Sequence, residues 1–488
     1  MKLDANICYQ ALLTRDARFD GCFFVGVATT GIYCRPVCPA KPPAGRNCSF
    51  FPSAAAAEAA GFRPCLRCRP ELAPGASSIE ANANLARRAA DLIETSIPEG
   101  WRLSGLADRL GVTDRHLRRV FRAELGASPL QFAQTHRLLL AKRLLTDTSL
   151  SITDVAMGSG FSSIRRFNAL MKDHYRMSPT DFRRKSGEAP GSDVISLRLG
   201  YRPPMAWEEL LAFLGARAVE GVESISNDRY RRSVGVEAGG RLLCGWIEVI
   251  CSNPQPLLEV VVGGPLLTAI PRVLAGVKRL FDLSAHPVAI ASVLGPLALD
   301  RPGLRVPGAF DGFEIAVRAI LGQQISVKSA STLAARFTRA FGEPVDTPFQ
   351  EIRRLFPKPA RIADCTVPMI TALGITSRRA VSLIALAGAV ADGSLRLDAG
   401  AHIEETLKAL LDLPGVGIWT AQYVAMRALA WPDAFPHSDY GVMKALRETS
   451  PARVLAMAEK WRPWRAYAAM HLWAGLKGGS GHECLHHV

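Results

Sequence analysis

The 488-residue sequence lacks any hydrophobic segment long enough to cross a membrane. Its longest apolar run covers residues 380–391, well short of the roughly 20 residues that a spanning helix needs. The sequence also opens without the apolar run of a secretory signal, and its 11 cysteines are odd in number and crowded toward the N-terminus. These absences exclude a membrane-spanning protein and argue against a secreted disulfide scaffold. We therefore expect a soluble protein of the reducing cytoplasm, with no membrane partner.

Acidic side chains are scarce relative to basic ones. The chain has 44 Asp and Glu against 59 Lys and Arg, which gives a formal charge of +15. A basic folded protein favours polyanionic partners, and nucleic acid comes before a membrane surface among them. Since 48% of the residues are apolar, the chain can build several cores and is not disordered. The length predicts about three domains and excludes a single compact one.

Changes of pattern along the chain divide it into four regions. The first is loop-rich with short apolar runs, the second has helical periodicity, the third mixes strand and helix patterns, and the fourth is helical throughout. A stretch rich in Gly, Ser, Pro and charge at residues 183–193 is the main linker that we predict. The predicted domains are residues 1–76, 80–186, 193–305 and 306–488.

Four cysteines in the first region have the spacing of a metal site. Cys34 and Cys38 form one close pair, and Cys65 and Cys68 form a second about thirty residues later. Two such pairs can present four sulfur ligands to one tetrahedral Zn²⁺. A purely structural zinc ribbon and ordinary buried cysteines are the alternatives that spacing alone leaves open.

The segments TTGIYCRPVCPAK, NCSFF and AGFRPCLRCRP resemble the zinc domain of the adaptive-response (Ada) methylphosphotriester sensors. The resemblance implies that Cys34, one of four zinc ligands, takes the methyl group irreversibly from a methylated DNA phosphate. Zinc keeps sulfur in its nucleophilic thiolate form, and methylation of one of the four thiolates removes one negative charge. Such a charge change suits a switch in DNA affinity. Arginines beside the cysteines suit phosphate contacts, with ordinary surface residues as the alternative: Arg35, Arg63, Arg67 and Arg69.

Residues 103–121 and 152–167 repeat a pattern of helix, glycine turn and helix. With GSGFSSIRRF and MSPTDFR, they resemble the tandem helix-turn-helix domain of AraC-type activators. The resemblance implies that each second helix enters a major groove of operator DNA, and that RNA polymerase is a further partner. We expect a monomer. The candidate groove residues, with non-specific phosphate contacts as the alternative, are Arg115, Arg118, Arg165 and Arg166.

The C-terminal region carries LDLPGVGIWTAQYVAMRAL at residues 411–429. The Gly415 and Gly417 positions expose backbone N–H groups at a helix start, where they can hold a DNA phosphate, although any tight turn between helices looks similar. Asp439 lies just ahead of a later helix, and on its own it reads as a helix N-cap.

The order of the hairpin, FPHSDYGVMKAL and WRPWRAYAAMHLW resembles the helix-hairpin-helix DNA glycosylases, and within them the 3-methyladenine glycosylase II (AlkA-like) branch. The resemblance makes Asp439 the catalytic carboxylate that stabilises the oxocarbenium-like sugar. Members that also cut the strand use a hairpin lysine where this chain has Trp419. We therefore predict a monofunctional enzyme that leaves an abasic site.

The same resemblance places an aromatic pocket around a flipped base, and its electron-rich rings suit the cationic 3-methyladenine and 7-methylguanine. The family's apolar wedge falls on Gln324, a departure that could alter lesion range. A monovalent or divalent cation at the hairpin would bind the carbonyls of Leu411, Leu413 and Gly415. Helical-core aromatics are the alternative for the pocket residues, which are Trp419, Tyr423, Tyr440, Trp473 and Phe213.

We thus predict a multidomain α+β protein: a small zinc domain, an all-α tandem helix-turn-helix domain, a small α+β domain and an all-α helix-hairpin-helix glycosylase domain. The expected function is bifunctional, with a methyl-accepting transcription activator joined to a DNA-3-methyladenine glycosylase. One alternative is a transcriptional regulator whose glycosylase half binds DNA without catalysis, and another is a glycosylase whose N-terminal half only targets it to DNA.

Overall fold

A computed structural model describes residues 5–16, 19–73, 81–96, 102–186, 194–238, 240–252, 255–398 and 400–477. The chain folds into two compact units. The first comprises Met1–Pro203, Gly235–Lys278 and Leu283–His286, and the second comprises Pro204–Val234, Arg279–Asp282 and Pro287–Val488. No helix among the described residues combines the length and apolar character needed to cross a bilayer. Most of the predicted linker, residues 187–193, lies outside the described residues, and the four domain boundaries stay predictions.

The N-terminal part of the first unit is a small sheet with two helices. Its strand order is β3-β1-β2-β4, and β2 and β4 run parallel. In that register Tyr33 lies opposite Pro64, and the Cys65 backbone N–H just after β4 donates to the Tyr33 carbonyl at 3.0 Å, which brings Cys65 beside Cys34. Strand pairing therefore brings the two cysteine pairs together. The elements are α1 Ala5–Leu13, β1 Phe24–Val27, β2 Ile32–Cys34, β3 Cys48–Phe51, α2 Ala54–Ala59 and β4 Arg63–Pro64.

The described parts of residues 81–186 form seven helices, which include two helix-turn-helix pairs. Gly111 in the first turn has φ +67°, a left-handed conformation that glycine adopts without steric cost. Leu117 and Phe121 on the second helix of that pair are fully buried and pack on Leu106 of the first helix. The helices are α3 Ala81–Ser96, α4 Leu103–Arg109, α5 Asp114–Leu125, α6 Pro129–Asp147, α7 Ile152–Gly158, α8 Ile164–Tyr175 and α9 Pro179–Ser186.

A five-stranded sheet with the order β5-β9-β8-β7-β6 forms the α+β region. Strand β9 pairs antiparallel with both β5 and β8, and its buried Leu258, Val260 and Val262 alternate along the strand. This alternation is the period-two pattern of a strand with one face in a core. The elements are β5 Val194–Gly200, α10 Trp207–Gly215, β6 Glu223–Ser226, β7 Arg229–Ala238, β8 Arg241–Ser252, β9 Leu257–Gly263 and α11 Ile270–Leu280.

The rest of the second unit is helical, and α13 is its central helix. Residues 313–317 and 319–321 of α13 are all buried, and the helix packs against α17 and α19. A helix that is buried on nearly every side belongs in the middle of a bundle, and its one buried acidic residue, Glu314, is paired with Arg232 and Arg318. The helices are α12 Pro287–Leu294, α13 Gly312–Leu321, α14 Val327–Phe341, α15 Pro359–Ala363, α16 Val367–Thr371, α17 Ser377–Ala391, α18 Ile403–Leu411, α19 Ile418–Arg427, α20 Tyr440–Leu446, α21 Pro451–Ala458 and α22 Arg465–Lys477.

In the first unit, a buried carboxyl group links the N-terminal sheet to the long helix α6. The Glu58 side chain is only 5% exposed and accepts hydrogen bonds from Tyr33 Oη at 3.0 Å and Thr135 Oγ1 at 2.8 Å. Burial raises the pKa of Glu58 to about 7, although both hydroxyl donors and Lys142 act in the opposite direction. The folded protein therefore holds a proton on Glu58 that the unfolded chain releases near pH 4.5.

This proton makes the first unit less stable as the pH rises from about 4.5 to about 7, because the folded state binds more protons than the unfolded state in that window. The Glu58→Gln variant does not titrate there. We expect it to gain stability relative to the wild type by up to about 1.4 kcal/mol per pH unit across the window. Calorimetric unfolding of the full chain between pH 5 and 8 measures the difference. Glu220→Gln, at an exposed ion pair, is the control, and a difference between Glu58→Gln and the wild type that is constant with pH would contradict the assignment.

Candidate functional site

The four predicted cysteines form one cluster. The Sγ atoms of Cys34, Cys38, Cys65 and Cys68 all lie within 4.8 Å of one another. A tetrahedral zinc site with Zn–S bonds of about 2.3 Å has sulfur atoms about 3.8 Å apart, so small movements close the cluster around an ion. Three of the cysteines are buried, whereas Cys34 is half-buried. Cys34 is therefore the ligand most accessible to a reaction partner.

The thiols of the cluster cannot all ionise without a cation. Hydrogen bonding, first with Cys38 and then with Cys65, raises the pKa of Cys34, while the hydrogen bond from Cys34 is the main cause that lowers the pKa of Cys38 to about 7. A divalent ion would compensate half of the charge of four thiolates, and four sulfur donors in a closed tetrahedron favour zinc. The residues present fit Zn²⁺.

A buried arginine fixes the cluster from one side. The Arg35 backbone N–H donates to Cys68 Sγ at 3.3 Å, and its guanidinium donates to the Cys68 carbonyl at 3.1 Å and to Asp20 Oδ1 at 2.8 Å. Both Arg35 and Asp20 are buried. The expectation that Arg35 contacts DNA phosphates is therefore wrong, because the guanidinium is paired inside the protein. Asp20 was missed since nothing in its sequence neighbourhood marks it as the partner.

The four arginines proposed for the DNA grooves lie on open surfaces. Arg115 and Arg118 are exposed on α5, and Arg165 and Arg166 are exposed on α8. Each of these helices begins at a hydroxyl N-cap and buries its opposite face. This placement leaves the side chains accessible to DNA, and their contacts with bases or phosphates stay a prediction.

Asp439 is held by three N–H donors in the second unit. The Trp419 indole Nε1 donates to Oδ2 at 2.8 Å, while the Trp473 indole Nε1 and the Val442 backbone N–H donate to Oδ1 at 2.7 and 2.9 Å. Asp439 is thus the N-cap of α20 and, at the same time, the acceptor of two indole N–H groups. A side chain that served only as an N-cap would need neither indole.

The expected pocket aromatics lie around this carboxylate, with one exception. The rings of Trp419 and Tyr423 stack at 5.4 Å, and the rings of Phe213 and Trp473 are nearly parallel at 6.4 Å. Tyr423 also lies 6.3 Å from Trp473, so these four rings form one group. Tyr440 is 54% exposed and has no ring contact with this group among the described residues, and its place in the pocket stays a prediction.

Two arginines that were not predicted from the sequence, Arg217 and Arg427, contact the aromatic rings. The Arg427 Nη1 donates to Tyr423 Oη at 2.7 Å, and the guanidinium of Arg217 lies 3.8 Å from the centre of the Phe213 ring. Burial raises the pKa of Tyr423, but the charges of Arg427, Arg217 and Arg318 outweigh it and lower the pKa. Each arginine follows its aromatic partner by four residues. That helical spacing is the signal that could have found them.

The hairpin has the backbone that its glycines predict. Gly415 has φ +75°, and a Cβ atom there would lie 2.4 Å from Ser382 Oγ. Gly417 is exposed at the N-cap of α19, where its backbone can approach a phosphate. The carbonyl of Gly415, one of three proposed for a cation, accepts a hydrogen bond from Gln323 Nε2 at 3.0 Å. The carbonyl of Leu413, a second of the three, accepts a hydrogen bond from the Val416 backbone N–H at 3.2 Å, and the cation stays a prediction.

Gln324 lies in the loop between α13 and α14. It is exposed and has φ +54°, a left-handed conformation that is unusual for a residue with a side chain. A wedge residue must project from the surface, and this position meets that requirement. Insertion into DNA stays a prediction.

Comparisons with known families match four segments of the chain. Residues 7–71 match the metal binding domain of Ada, residues 106–185 a helix-turn-helix domain, residues 196–311 the AlkA N-terminal domain, and residues 317–460 the HhH-GPD superfamily of base excision DNA repair proteins. These matches confirm the predicted fold classes.

Three curated relatives cover different parts of the chain. A probable bifunctional transcriptional activator/DNA repair enzyme AlkA from Mycobacterium tuberculosis is 39% identical over 97% of both chains. DNA-3-methyladenine glycosylase 2 from Escherichia coli is 38% identical over 56% of this chain and 95% of its own length. The bifunctional transcriptional activator/DNA repair enzyme Ada from Escherichia coli is 34% identical over 36% of this chain and 48% of its own length.

The cluster geometry predicts one zinc ion per chain. We expect Cys38→Ser and Cys65→Ser to lose most of the bound metal, because three thiolates and a hydroxyl hold zinc less tightly than four thiolates. Elemental analysis of the purified full-length protein, before and after dialysis against a chelator, measures the zinc content. Cys251→Ser, far from the cluster in sequence, is the control, and full retention of zinc by both cluster variants would contradict the assignment.

Proposed function

The chain belongs to the family of AlkA-type bifunctional transcriptional activators and DNA repair enzymes, and we propose that it combines two chemical activities on alkylated DNA. One is hydrolysis of the N-glycosidic bond of methylated purines by the second unit. The other is stoichiometric transfer of a methyl group from a DNA methylphosphotriester to Cys34. The observation that carries the first activity is the Asp439 carboxylate, oriented by two indole N–H groups beside stacked aromatic rings.

Asp439 is suited to stabilise positive charge on a sugar. As the bond between C1′ and the base nitrogen breaks, its electron pair goes to the base and the sugar becomes cationic. The hydrogen bonds on Oδ1 and Oδ2 fix the carboxylate in place, so its charge needs no reorganisation at that moment. Water then adds to C1′ and loses a proton, which leaves an abasic site.

Trp419 occupies the hairpin position at which strand-cleaving members of the superfamily carry a lysine. An indole cannot form a Schiff base. The Trp419 N–H instead supports Asp439 at 2.8 Å. The proposed reaction is therefore monofunctional.

The substrate bases that the aromatic group favours are 3-methyladenine and 7-methylguanine. Both are cationic as nucleosides, and ring faces attract cations. Extrusion of the base from the duplex is required because the rings and Asp439 can be reached only by an unstacked nucleotide.

Removing the charge of Asp439 should slow base release strongly. We expect Asp439→Asn to lower the single-turnover rate on DNA containing 3-methyladenine by about 10²- to 10³-fold or more, while the hairpin keeps its affinity for DNA. Chromatography of the released base measures the rate. Asp346→Asn, at an exposed position outside the hairpin, is the control. Absence of base release by the wild type would favour the alternative, a regulator that only grips DNA.

The partial exposure of Cys34, beside three buried cysteines, supports the proposal of methyl transfer to this residue. Its sulfur would attack the methyl carbon of a phosphotriester, the carbon–oxygen bond would break, and the oxygen would keep the electron pair as an ordinary charged phosphodiester. Zinc supplies the thiolate at neutral pH when it is bound. The thioether that forms is stable, so each chain reacts once. The cluster then carries one negative charge less and repels DNA phosphates less, which favours operator binding.

Exposure to DNA carrying methylphosphotriesters should add the mass of one methylene group to the chain, with the modification on Cys34. Peptide mass spectrometry locates it. We expect Cys34→Ala to stay unmodified and Cys48→Ser, outside the cluster, to react like the wild type. A methyl group found on a different cysteine would overturn the assignment of Cys34.

The helix-turn-helix pairs would convert methylation of Cys34 into a change in operator binding. We propose that Arg115, Arg118, Arg165 and Arg166 contact operator DNA, that the methylated form activates transcription together with RNA polymerase, and that the protein acts as a cytoplasmic monomer. A cation held by the hairpin carbonyls would assist phosphate binding.

A further inference from the structure

We propose that Gln323 is a positioning residue that couples the loop carrying Gln324 to the phosphate-binding hairpin and to the wall of the base pocket. The proposal rests on the proposed glycosylase function and adds to it a residue with no assigned role. Gln323 precedes the candidate wedge residue directly in the sequence. Its side chain turns inward, whereas Gln324 is exposed.

The side-chain amide of Gln323 joins two elements of the site. Its Nε2 donates to the Gly415 carbonyl of the hairpin at 3.0 Å and to Thr420 Oγ1 of α19 at 2.9 Å. An amide nitrogen carries two hydrogens, so both are used. Thr420 is buried and follows the pocket residue Trp419 directly. One side chain therefore contacts both the phosphate-binding turn and the helix that supports Asp439.

The backbone of Gln323 is fixed as well. Its carbonyl accepts a hydrogen bond from the guanidinium of Arg379 on α17. The next residue, Gln324, adopts φ +54°, a conformation that a residue with a side chain keeps only when its surroundings impose it. Gln323, the residue before Gln324, is thus held through its side chain and its carbonyl, and its backbone N–H also donates to the Ile320 carbonyl at 3.3 Å. These contacts anchor the loop in the conformation that projects Gln324.

This arrangement has a mechanical consequence for base extrusion. When the hairpin binds a phosphate through its backbone N–H groups, Gly415 becomes fixed relative to the DNA strand. Because Gln323 binds the Gly415 carbonyl, the loop that carries Gln324 also becomes fixed in position relative to the DNA strand. Phosphate binding at the hairpin and insertion of Gln324 then occur together, and removal of the Gln323 amide should uncouple them while each element remains present.

The test is a double-mutant cycle on the full-length protein. Gln323→Met keeps the length of the side chain and removes both donors, Gln324→Ala removes the wedge, and the third variant carries both changes. Insertion is read from the fluorescence of 2-aminopurine placed next to an abasic-site analogue in duplex DNA, and base release from 3-methyladenine DNA is measured in parallel. The fluorescence readout does not need catalysis, so a failure of the proposed glycosylase function would be seen separately.

If Gln323 acts through Gln324, each single variant lowers the equilibrium constant for insertion by about tenfold, and the double variant is no worse than Gln324→Ala. The unfolding temperature should change little, and the affinity for DNA should fall by no more than the insertion constant does. Thr420→Val, which removes one of the two acceptors, should give a smaller loss in the same direction. Gln350→Met, at an exposed position elsewhere in the second unit, is the matched control.

Two results would overturn the proposal. Additive losses in the double variant would mean that Gln323 acts independently of the wedge. Insertion unchanged in both Gln323→Met and Thr420→Val would mean that the amide only fills a polar gap in the fold.

Discussion

A negatively charged side chain that is shielded from water needs a neighbouring cation or hydrogen-bond donors. This requirement determines the structure around both the cysteine cluster and Asp439. Four thiols within 4.8 Å of one another can become thiolates only around a cation. The Asp439 carboxylate is instead stabilised by neutral donors, two indoles and one backbone N–H. This difference suits the two chemistries. A cation keeps sulfur nucleophilic, whereas neutral donors leave the carboxylate with its full negative charge for a cationic sugar.

The same requirement explains the buried groups that support each region. Arg35 and Asp20 pair directly behind the cysteine cluster. In the second unit, Arg232 lies 2.7 Å and Arg318 2.8 Å from the carboxylate of Glu314 on the central helix α13. Such pairs contribute little net stability, but removal of one partner leaves a charge without compensation. They therefore fix the elements that carry the site in a single arrangement.

Much of the fold and part of the site could be predicted from the sequence. Cysteine spacing identified the four candidate ligands, because two cysteines separated by only two or three residues are held close together by the backbone between them. The contacts of Asp439 could not be predicted, since its indole donors lie 20 and 34 residues away and meet it only after α19, α20 and α22 pack. Glu58 lies in an alanine-rich helix, and its partner Thr135 is 77 residues distant. Long-range contacts of this kind depend on packing, which local patterns do not encode.

Trp419 and Trp473 serve Asp439 as hydrogen-bond donors in addition to forming part of the aromatic group. The most direct measurement is the single-turnover rate of 3-methyladenine release by Trp419→Phe, Trp473→Phe and the double variant, which keep aromatic rings and lose the N–H groups. We predict that each single variant slows release by about tenfold and that the double variant is slower than either, as for the loss of hydrogen bonds to a charged group. Release at the wild-type rate by the double variant would contradict the account.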